Sequence, residues 1–142
     1  MHLEPILDLA DAETALQACR AHADSLGARV SIAVVDGAGH LLAFHRLDGA
    51  PIISVETAIA KARMAAYFVT PTLALEASIN GPRPALMQLS GLQPQSCVAM
   101  EGGLPLLQGR HCLGAIGVSG VTSDMDAAIA QAGIDTLPPS LS

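Results

Sequence analysis

The stretch "HLLAFHR", residues 40–46, brings three ligand-type side chains close together in the sequence. His40 and His45 are candidate metal ligands, and Arg46 can hold a carboxylate through two hydrogen bonds. The stretch reads as a β-strand, in which successive side chains point to opposite faces. This alternation places His40 and Arg46 on one face and His45 on the other. We therefore expect that the three residues do not form one shared site.

Two further charged residues are candidates for holding an anionic ligand. Asp48 follows the strand closely, so that Arg46 and Asp48 could together orient a carboxylate, with an ion pair at the strand end as the alternative. Lys61 lies among alanines at helical spacing, which places it on a packed face or at its edge. Such a lysine either points into a pocket, where it binds an anion or acts in catalysis, or extends along the rim into solvent.

The tripeptide "EGG" at 101–103 is the candidate segment for acid–base chemistry. Glu101 is the candidate general acid or base, and a solvated loop carboxylate is the alternative. Gly102 and Gly103 are predicted to expose two backbone N–H groups that would hold a carboxylate or an oxyanion. The alternative for the two glycines is a β-bulge or a simple strand connection.

The composition restricts the class of protein. The chain has 142 residues, which fits one domain spanning 1–142. A formal charge of −6 and only 2% aromatic residues argue against nucleic-acid binding, which favours basic patches and stacking aromatics. Because 51% of the residues are hydrophobic and only 14% are charged, we expect a buried subunit interface and hence a homo-oligomer.

The cysteines and the N-terminus indicate the compartment. Cys19, Cys97 and Cys112 are an odd number without a CxxC pair, so neither a disulfide framework nor a metal site is expected. All three lie among apolar residues, which favours buried structural thiols. The N-terminus lacks the basic stretch of a signal peptide, and no apolar run reaches the roughly 18 residues of a membrane span. We therefore expect a cytoplasmic protein that does not contact a membrane.

Four helices are predicted from their caps and apolar spacing. The first has Asp8 as its N-cap and Gly27 just past its end. The second covers about 52–68 and presents a face rich in alanine. A short third helix begins with Thr70 and Pro71 as N-cap and first residue, and the last helix begins with a Ser123–Asp126 capping box.

The strands are predicted as hairpins. The first pair covers 30–35 and 40–46, and a further strand at 96–100 precedes a hairpin within 106–120. Consecutive hairpins predict an antiparallel sheet of five strands, flanked by helices, in an α/β (α+β) domain. The intervening segment 80–95 contains three prolines and two glycines, and would suit a mobile lid or a subunit contact.

Three motifs carry a resemblance to a known family: "SIAVVDGAGHLLAFHRLDGAP" (31–51), "AIAKARMAAYFVTPT" (58–72) and "GGLPLLQGRHCLGAIGVSG" (102–120). In this order they resemble the GlcG/HbpS family of haem-binding-like proteins, whose domain also forms the C-terminal part of PduO-type proteins. The resemblance implies a profilin-like fold with a five-stranded antiparallel sheet, homo-oligomers and, for some members, haem binding.

Three positions depart from the pattern of that family. Glu101 stands where a small or apolar residue is usual, Arg83 lies in a segment that tends to be uncharged, and Met125 replaces the glutamine of a Gln-Asp pair. These departures favour a small polar ligand over haem.

The sequence therefore predicts an oligomeric protein that binds a small anionic or oxygenated metabolite. The predicted pocket is lined by Arg46, Asp48, Lys61, Gly102 and Gly103. Transformation of the ligand would use Glu101 and Lys61 as the catalytic residues and would require no cofactor.

Two alternatives to that function stay open at this point. The first is a haem-binding or haem-sensing protein with His40, His45 or His111 as the axial ligand of the iron. The second is a structural subunit without a ligand.

Overall fold

The computed structural model of the protein describes residues 1–137, in which a four-stranded antiparallel sheet lies between two layers of helices. The elements in chain order are α1 (Leu9–Leu26), β1 (Ser31–Asp36), β2 (Leu41–Arg46), α2 (Ser54–Phe68), α3 (Thr72–Ile79), a 3₁₀ segment (Pro84–Leu92), β3 (Gly103–Gln108), β4 (His111–Ser119) and α4 (Ser123–Ile134). Within residues 1–137, no helix has both the length and the apolar character needed to cross a membrane.

The sheet has the strand order β2-β1-β4-β3, and each neighbouring pair is antiparallel. The mixed α/β class and the antiparallel sheet are confirmed, but the prediction of five strands is wrong. Residues 96–100 do not join the sheet, because they run along α2, where the Val98 N–H donates to the Ala60 carbonyl oxygen at 3.3 Å. The chain then turns at Gly102 before β3 begins.

The two faces of the sheet carry different side chains. Ile32 and Ile116 lie on the face that packs against α1 and α4, and they belong to the main apolar core. Ala33 and Ala115 lie on the opposite face, which packs against α2. The side chains of α2 in this contact are small or aliphatic: Ala58, Ile59, Ala62, Ala65 and Ala66. The alanine-rich packing face predicted for this helix is confirmed.

Gly117 lets α2 approach the sheet closely. A Cβ atom on Gly117 would overlap the Ala58 carbonyl oxygen and lie 2.6 Å from the Ala62 backbone nitrogen. A glycine at this position of β4 therefore permits the close approach of the helix.

The helix ends agree only in part with the sequence. The Asp8 carboxylate accepts the Asp11 N–H at 2.8 Å, and Gly27 is left-handed with φ of 65°, as predicted. The Thr70 hydroxyl instead donates to the Phe68 carbonyl oxygen, and α3 begins at Thr72. Ser123 is the first residue of α4 rather than its cap, because the cap position belongs to Thr122.

The cysteines are mostly buried, as expected. Cys19 and Cys97 are buried, and Cys112 is half-buried. Burial raises the pKa of the Cys19 thiol to about 12, which makes that thiol unreactive at neutral pH. Among residues 1–137, no group of three or more His, Cys, Asp or Glu residues could hold a metal ion.

Candidate functional site

Lys61 is buried and paired with a carboxylate on a distant helix. Only 2% of the residue is exposed. Its Nζ donates to the Val118 carbonyl oxygen at 2.9 Å and to Asp126 Oδ2 at 3.2 Å. Of the two alternatives for Lys61, the structure shows the buried one, but the ammonium is directed to these partners rather than into an open pocket. The pair joins α2 on one face of the sheet to α4 on the other.

Gly102 and Gly103 cover this pair at the start of β3. Gly102 has φ of 128°, and a Cβ atom on it would lie 2.9 Å from Lys61 Nζ. The Gly103 N–H donates to Thr72 Oγ1 at 2.8 Å, and both glycines are buried. The prediction of two exposed N–H groups is wrong, because packing against Lys61 and Thr72 removes both glycines from solvent. We call Lys61, Asp126, Gly102 and Gly103 the lysine–aspartate node.

The Asp126 carboxylate has partners on both oxygens. Oδ2 accepts from Lys61, and Oδ1 accepts from the Val121 N–H at 3.2 Å. Burial raises the pKa of the Asp126 carboxyl, while the Lys61 ammonium acts in the opposite direction. Buried charges are tolerated only when they are paired and hydrogen-bonded. The node is therefore a closed site whose two charges balance each other.

Arg46 lies at the opposite edge of the sheet from this node. It pairs with Ser31 of β1, which in turn pairs with Ser119 of β4. The pairing of β3 with β4, carried back from Gly103, places Glu101 opposite Ser119. Three strand spacings, about 14 Å, therefore separate Arg46 from Glu101. Within one chain, the fold does not bring the predicted ligand-binding residues into one pocket.

Asp48 lies at the same edge as Arg46 but in a separate hollow. This hollow has a volume of about 270 Å³ and includes the side chains of Arg20, Asp24 and Arg29. Among the described residues, Arg46 and Asp48 do not form the ion pair considered as an alternative. Their role in ligand binding stays a prediction.

The three histidines are separated from one another. His40 precedes β2 and is exposed in the turn, where its backbone N–H donates to Asp36 Oδ1 at 3.0 Å. His45 pairs with Ile32 on the α1 side of the sheet, and its buried Nδ1 has no hydrogen-bond partner. His111 Nε2 lies 3.0 Å from the Pro5 carbonyl oxygen. The alternation predicted for this strand does not hold throughout, because a register shift pairs Leu41 with Val35 and Ala43 with Val34, and His40 lies before the strand. That His40 and His45 do not share a site stays a prediction.

A cleft of about 380 Å³ opens between α3, the 3₁₀ segment and the extended residues 97–100. The polar side chains that line it are Glu76, Asn80 and Ser90. Three sulfur-bearing side chains also line it: Met87, Cys97 and Met100. We call this cavity the sulfur cleft. Segment 80–95, predicted as a lid or subunit contact, supplies part of its wall.

A fourth sulfur lies behind the wall of the sulfur cleft. Met64 is 1% exposed, and its Sδ is 3.9 Å from the hydroxyl oxygen of Ser90. Met64 and Cys97 pack in the same buried cluster with Leu75. The cleft thus has a firm apolar floor under more exposed methionines.

Glu101 lies between the two sites along the chain. It is half-buried, follows Met100 of the sulfur cleft, and precedes Gly102 of the node. Lys61, its predicted catalytic partner, contacts Asp126 instead. Of the two predicted catalytic residues, only Glu101 is partly open to solvent.

Sequence reasoning missed both the partner of Lys61 and the sulfur cleft. Asp126 was assigned to a local capping box, whereas its true partner is 65 positions away. The methionines carried no charge or motif that marked them. The available signal was the irregular, apolar character of 80–95, because a segment that cannot form a regular element leaves gaps against its neighbours.

Comparison with known proteins identifies the family. The chain matches the family model "Haem degrading protein HbpS-like" over residues 7–135. GlcG of Escherichia coli K12 is 38% identical over 90 residues, which are 63% of this chain and 63% of GlcG. These matches confirm the resemblance to the GlcG/HbpS family.

Solved structures agree with this assignment. A double mutant of Streptomyces reticuli HbpS has a TM-score of 0.87 at 31% identity, covering 97% of this chain and 91% of that chain. A PduOC:haem complex has a TM-score of 0.84 at 27% identity, covering 94% of this chain and 96% of that chain. The chain belongs to the HbpS-like family.

Proposed function

We propose that the chain is a small-molecule-binding protein whose ligand is haem and whose binding site is the sulfur cleft. The observation that carries this proposal is the cleft itself, an open and mainly apolar cavity of about 380 Å³. This volume lies within the range of roughly 300–1,000 Å³ that ligand sites occupy. The family description and the haem complex of the similar PduOC support the choice of ligand.

The donor set of the cleft is compatible with haem iron. Thioether, thiolate and imidazole groups all serve as axial ligands, and the cleft offers Met87, Met100 and Cys97. The Asn80 amide is a hydrogen-bond donor that could meet one carboxylate of haem, whereas the Ser90 hydroxyl donates to Met64 Sδ and the Glu76 carboxylate also lines the cleft. When bound, haem would supply an iron centre for redox or oxygen chemistry.

A haem titration of the purified protein, followed by absorbance, tests the proposal. We expect a Soret shift that saturates at a fixed ratio of haem to protomer. Ala99→Trp places an indole in the cleft and should weaken binding at least about tenfold. Leu26→Trp, at the exposed end of α1, is the matched control and should bind like the wild type. A featureless, non-saturating trace would remove haem as the ligand.

A second candidate is the acid–base transformation of a small anionic or oxygenated metabolite. The position of Glu101, half-buried and adjacent in sequence to Met100 of the cleft, favours it. Glu101 would act as the acid or base, and Lys61 would act through its charge behind Gly102. The test is a melting-temperature screen with hydroxy and keto acids, followed by turnover of Glu101→Gln on any hit. Unchanged turnover would exclude Glu101 from the mechanism.

We also propose that the protein is a homo-oligomer. Large apolar side chains are exposed on α3 and the 3₁₀ segment: Leu73, Leu89 and Leu92. Arg46 and Asp48 would reach a ligand beside Glu101 only from a neighbouring subunit, given the separation across the sheet. Light scattering on the purified protein checks this proposal, and a monomer at micromolar concentration would contradict it. The profilin-like description, the single domain and the cytoplasmic location stay predictions.

A further inference from the structure

We propose that methionine sulfur, and not histidine, ligates the haem iron in the sulfur cleft, with Met100 and Met87 as the ligating residues. This inference rests on the proposed haem-binding function and extends it to the identity of the axial ligands. It predicts a thioether-ligated iron in a family member whose sequence pointed to histidine.

Both methionines line the sulfur cleft and are exposed. Met87 belongs to the 3₁₀ segment and Met100 to the extended segment before β3, so the cleft receives a thioether from each of two segments. Met87 is 63% exposed and Met100 is 50% exposed. Their unbranched side chains have three rotatable bonds, which lets each sulfur adjust to a ligand without displacing the core.

Cys97 is less suited to this role than the methionines. It also lines the cleft, but only 7% of the residue is exposed and it packs against Met64 and Leu75 in a buried cluster. A thiol must lose its proton to become a good ligand, whereas a thioether is neutral and ready to bind. We therefore assign Cys97 to the floor of the cleft.

No histidine lines the sulfur cleft in the part of the chain that the structure describes. His40 lies in the turn before β2, and His45 lies on the α1 face of the sheet. His111 lies against the N-terminal segment, with its Nε2 near the Pro5 carbonyl oxygen. None of the three is among the residues that line the cleft, whereas two methionines are.

Thioether ligation has a consequence for the iron that can be measured. A methionine ligand favours the ferrous state and raises the reduction potential relative to ligation by stronger donors. Replacing methionine by leucine conserves volume and removes the donor, so the potential should fall while the cleft keeps its shape.

The test compares Met100→Leu, Met87→Leu and the double variant with Met125→Leu, a methionine of α4 outside the cleft. The readouts are the Soret position, the sulfur-to-iron charge-transfer band of the ferric protein and the reduction potential. We expect the double variant to lose that band and to bind haem at least about tenfold more weakly. Met125→Leu should match the wild type in all three readouts.

The outcomes separate this inference from the function on which it rests. If the wild type shows no saturable Soret band, both the haem function and this inference are overturned. If haem binds and the double variant keeps the band and potential of the wild type, only the methionine assignment is overturned. Loss of the Soret shift in His40→Gln, His45→Gln or His111→Gln would identify the histidine that ligates instead. Circular dichroism verifies that each variant is folded.

Discussion

The lysine–aspartate node and the sulfur cleft are neighbours along the chain but are physical opposites. Met100 lines the cleft, and only Glu101 separates it from Gly102 of the node. The node is charged, buried and complete in its hydrogen bonds. The cleft is mainly apolar, open and lined by exposed methionine side chains. Lys61 is thus occupied in holding the fold, whereas the open sulfur cleft is lined mainly by apolar side chains.

This difference shows when a buried charged group is evidence for a binding site. A buried ammonium already in contact with a carboxylate gains little by binding a ligand anion, because that ligand must displace a partner in a low-dielectric setting. An open apolar wall has no such competitor. A buried charged group that already has a partner therefore indicates a structural role, and an open cavity indicates a ligand-binding site.

The largest expected effect comes from removing one charge of the node. Lys61→Met leaves Asp126 buried without its cation, which should lower the free energy of unfolding by about 3–5 kcal/mol. Urea denaturation measures this loss. The double variant Lys61→Met/Asp126→Leu removes both charges and should recover most of the stability. Equal losses in the single and double variants would show that the pair itself does not matter.

Filling the space beside the lysine–aspartate node should lower the free energy of unfolding by a somewhat smaller amount. Gly102→Ala combines an unfavourable φ with a Cβ atom 2.7 Å from the Val118 carbonyl oxygen and 2.9 Å from Lys61 Nζ, so we expect a loss of about 2–4 kcal/mol in the free energy of unfolding. Gly109→Ala is the matched control, because Gly109 also has a positive φ but has open space around it. Its cost should be about 1–2 kcal/mol, from backbone strain alone. Similar losses in both variants would mean that the node tolerates the extra atom.

The loss of stability in Lys61→Met should depend on pH, because Asp126 changes its charge with pH. Burial raises the pKa of Asp126 in the folded protein above its unfolded value of about 3.9, and loss of Lys61 removes the opposing influence. In the variant, the Asp126 carboxyl then holds its proton more tightly in the folded state than in the unfolded state. The free energy of unfolding therefore falls as the pH rises from the pKa of the unfolded state to the higher pKa of the folded state. The loss in Lys61→Met should therefore be smaller at pH 4 than at pH 7. A loss independent of pH would contradict a charged Asp126.

The smallest effect is expected in the sulfur cleft. Met87→Leu changes an exposed side chain that supports no other group, so stability should stay within about 0.5 kcal/mol of the wild type. Met64→Ala, which truncates the buried methionine behind the wall, should cost about 2–5 kcal/mol and provides the contrast. Thermal unfolding of the two variants checks both expected losses of stability. A large loss in Met87→Leu would mean that the cleft wall is structural.

The fold could be read from the sequence because its signals are local or periodic. Asp8 and Gly27 define the first helix through short-range hydrogen bonds and backbone geometry. Alternation and alanine spacing located the strands of the first hairpin and the packed face of α2. The prediction of a fifth strand is wrong because residues 96–100 have the composition of a strand but contact α2. Composition does not reveal whether a segment joins the sheet or packs along a helix.

The site could be read only in part. The alanine neighbours of Lys61 place it on a packed face or at its edge, but its contact with Asp126 depends on two helices from opposite faces of the sheet meeting. Arg46 and Glu101 are assigned to different edges by the strand order, which spacing along the chain does not encode. A cavity among Met87, Cys97 and Met100 arises from imperfect packing of irregular segments, and no residue type signals such a gap.

The Lys61–Asp126 contact also has a consequence for biosynthesis. The two residues are 65 positions apart, and Asp126 lies in the last helix. During translation the ammonium of Lys61 has no carboxylate to meet until that helix has left the ribosome. A nascent chain that stops before residue 126 would either keep α2 undocked or bury an unpaired charge. The final native packing of this domain therefore requires residue 126 to have emerged from the ribosome.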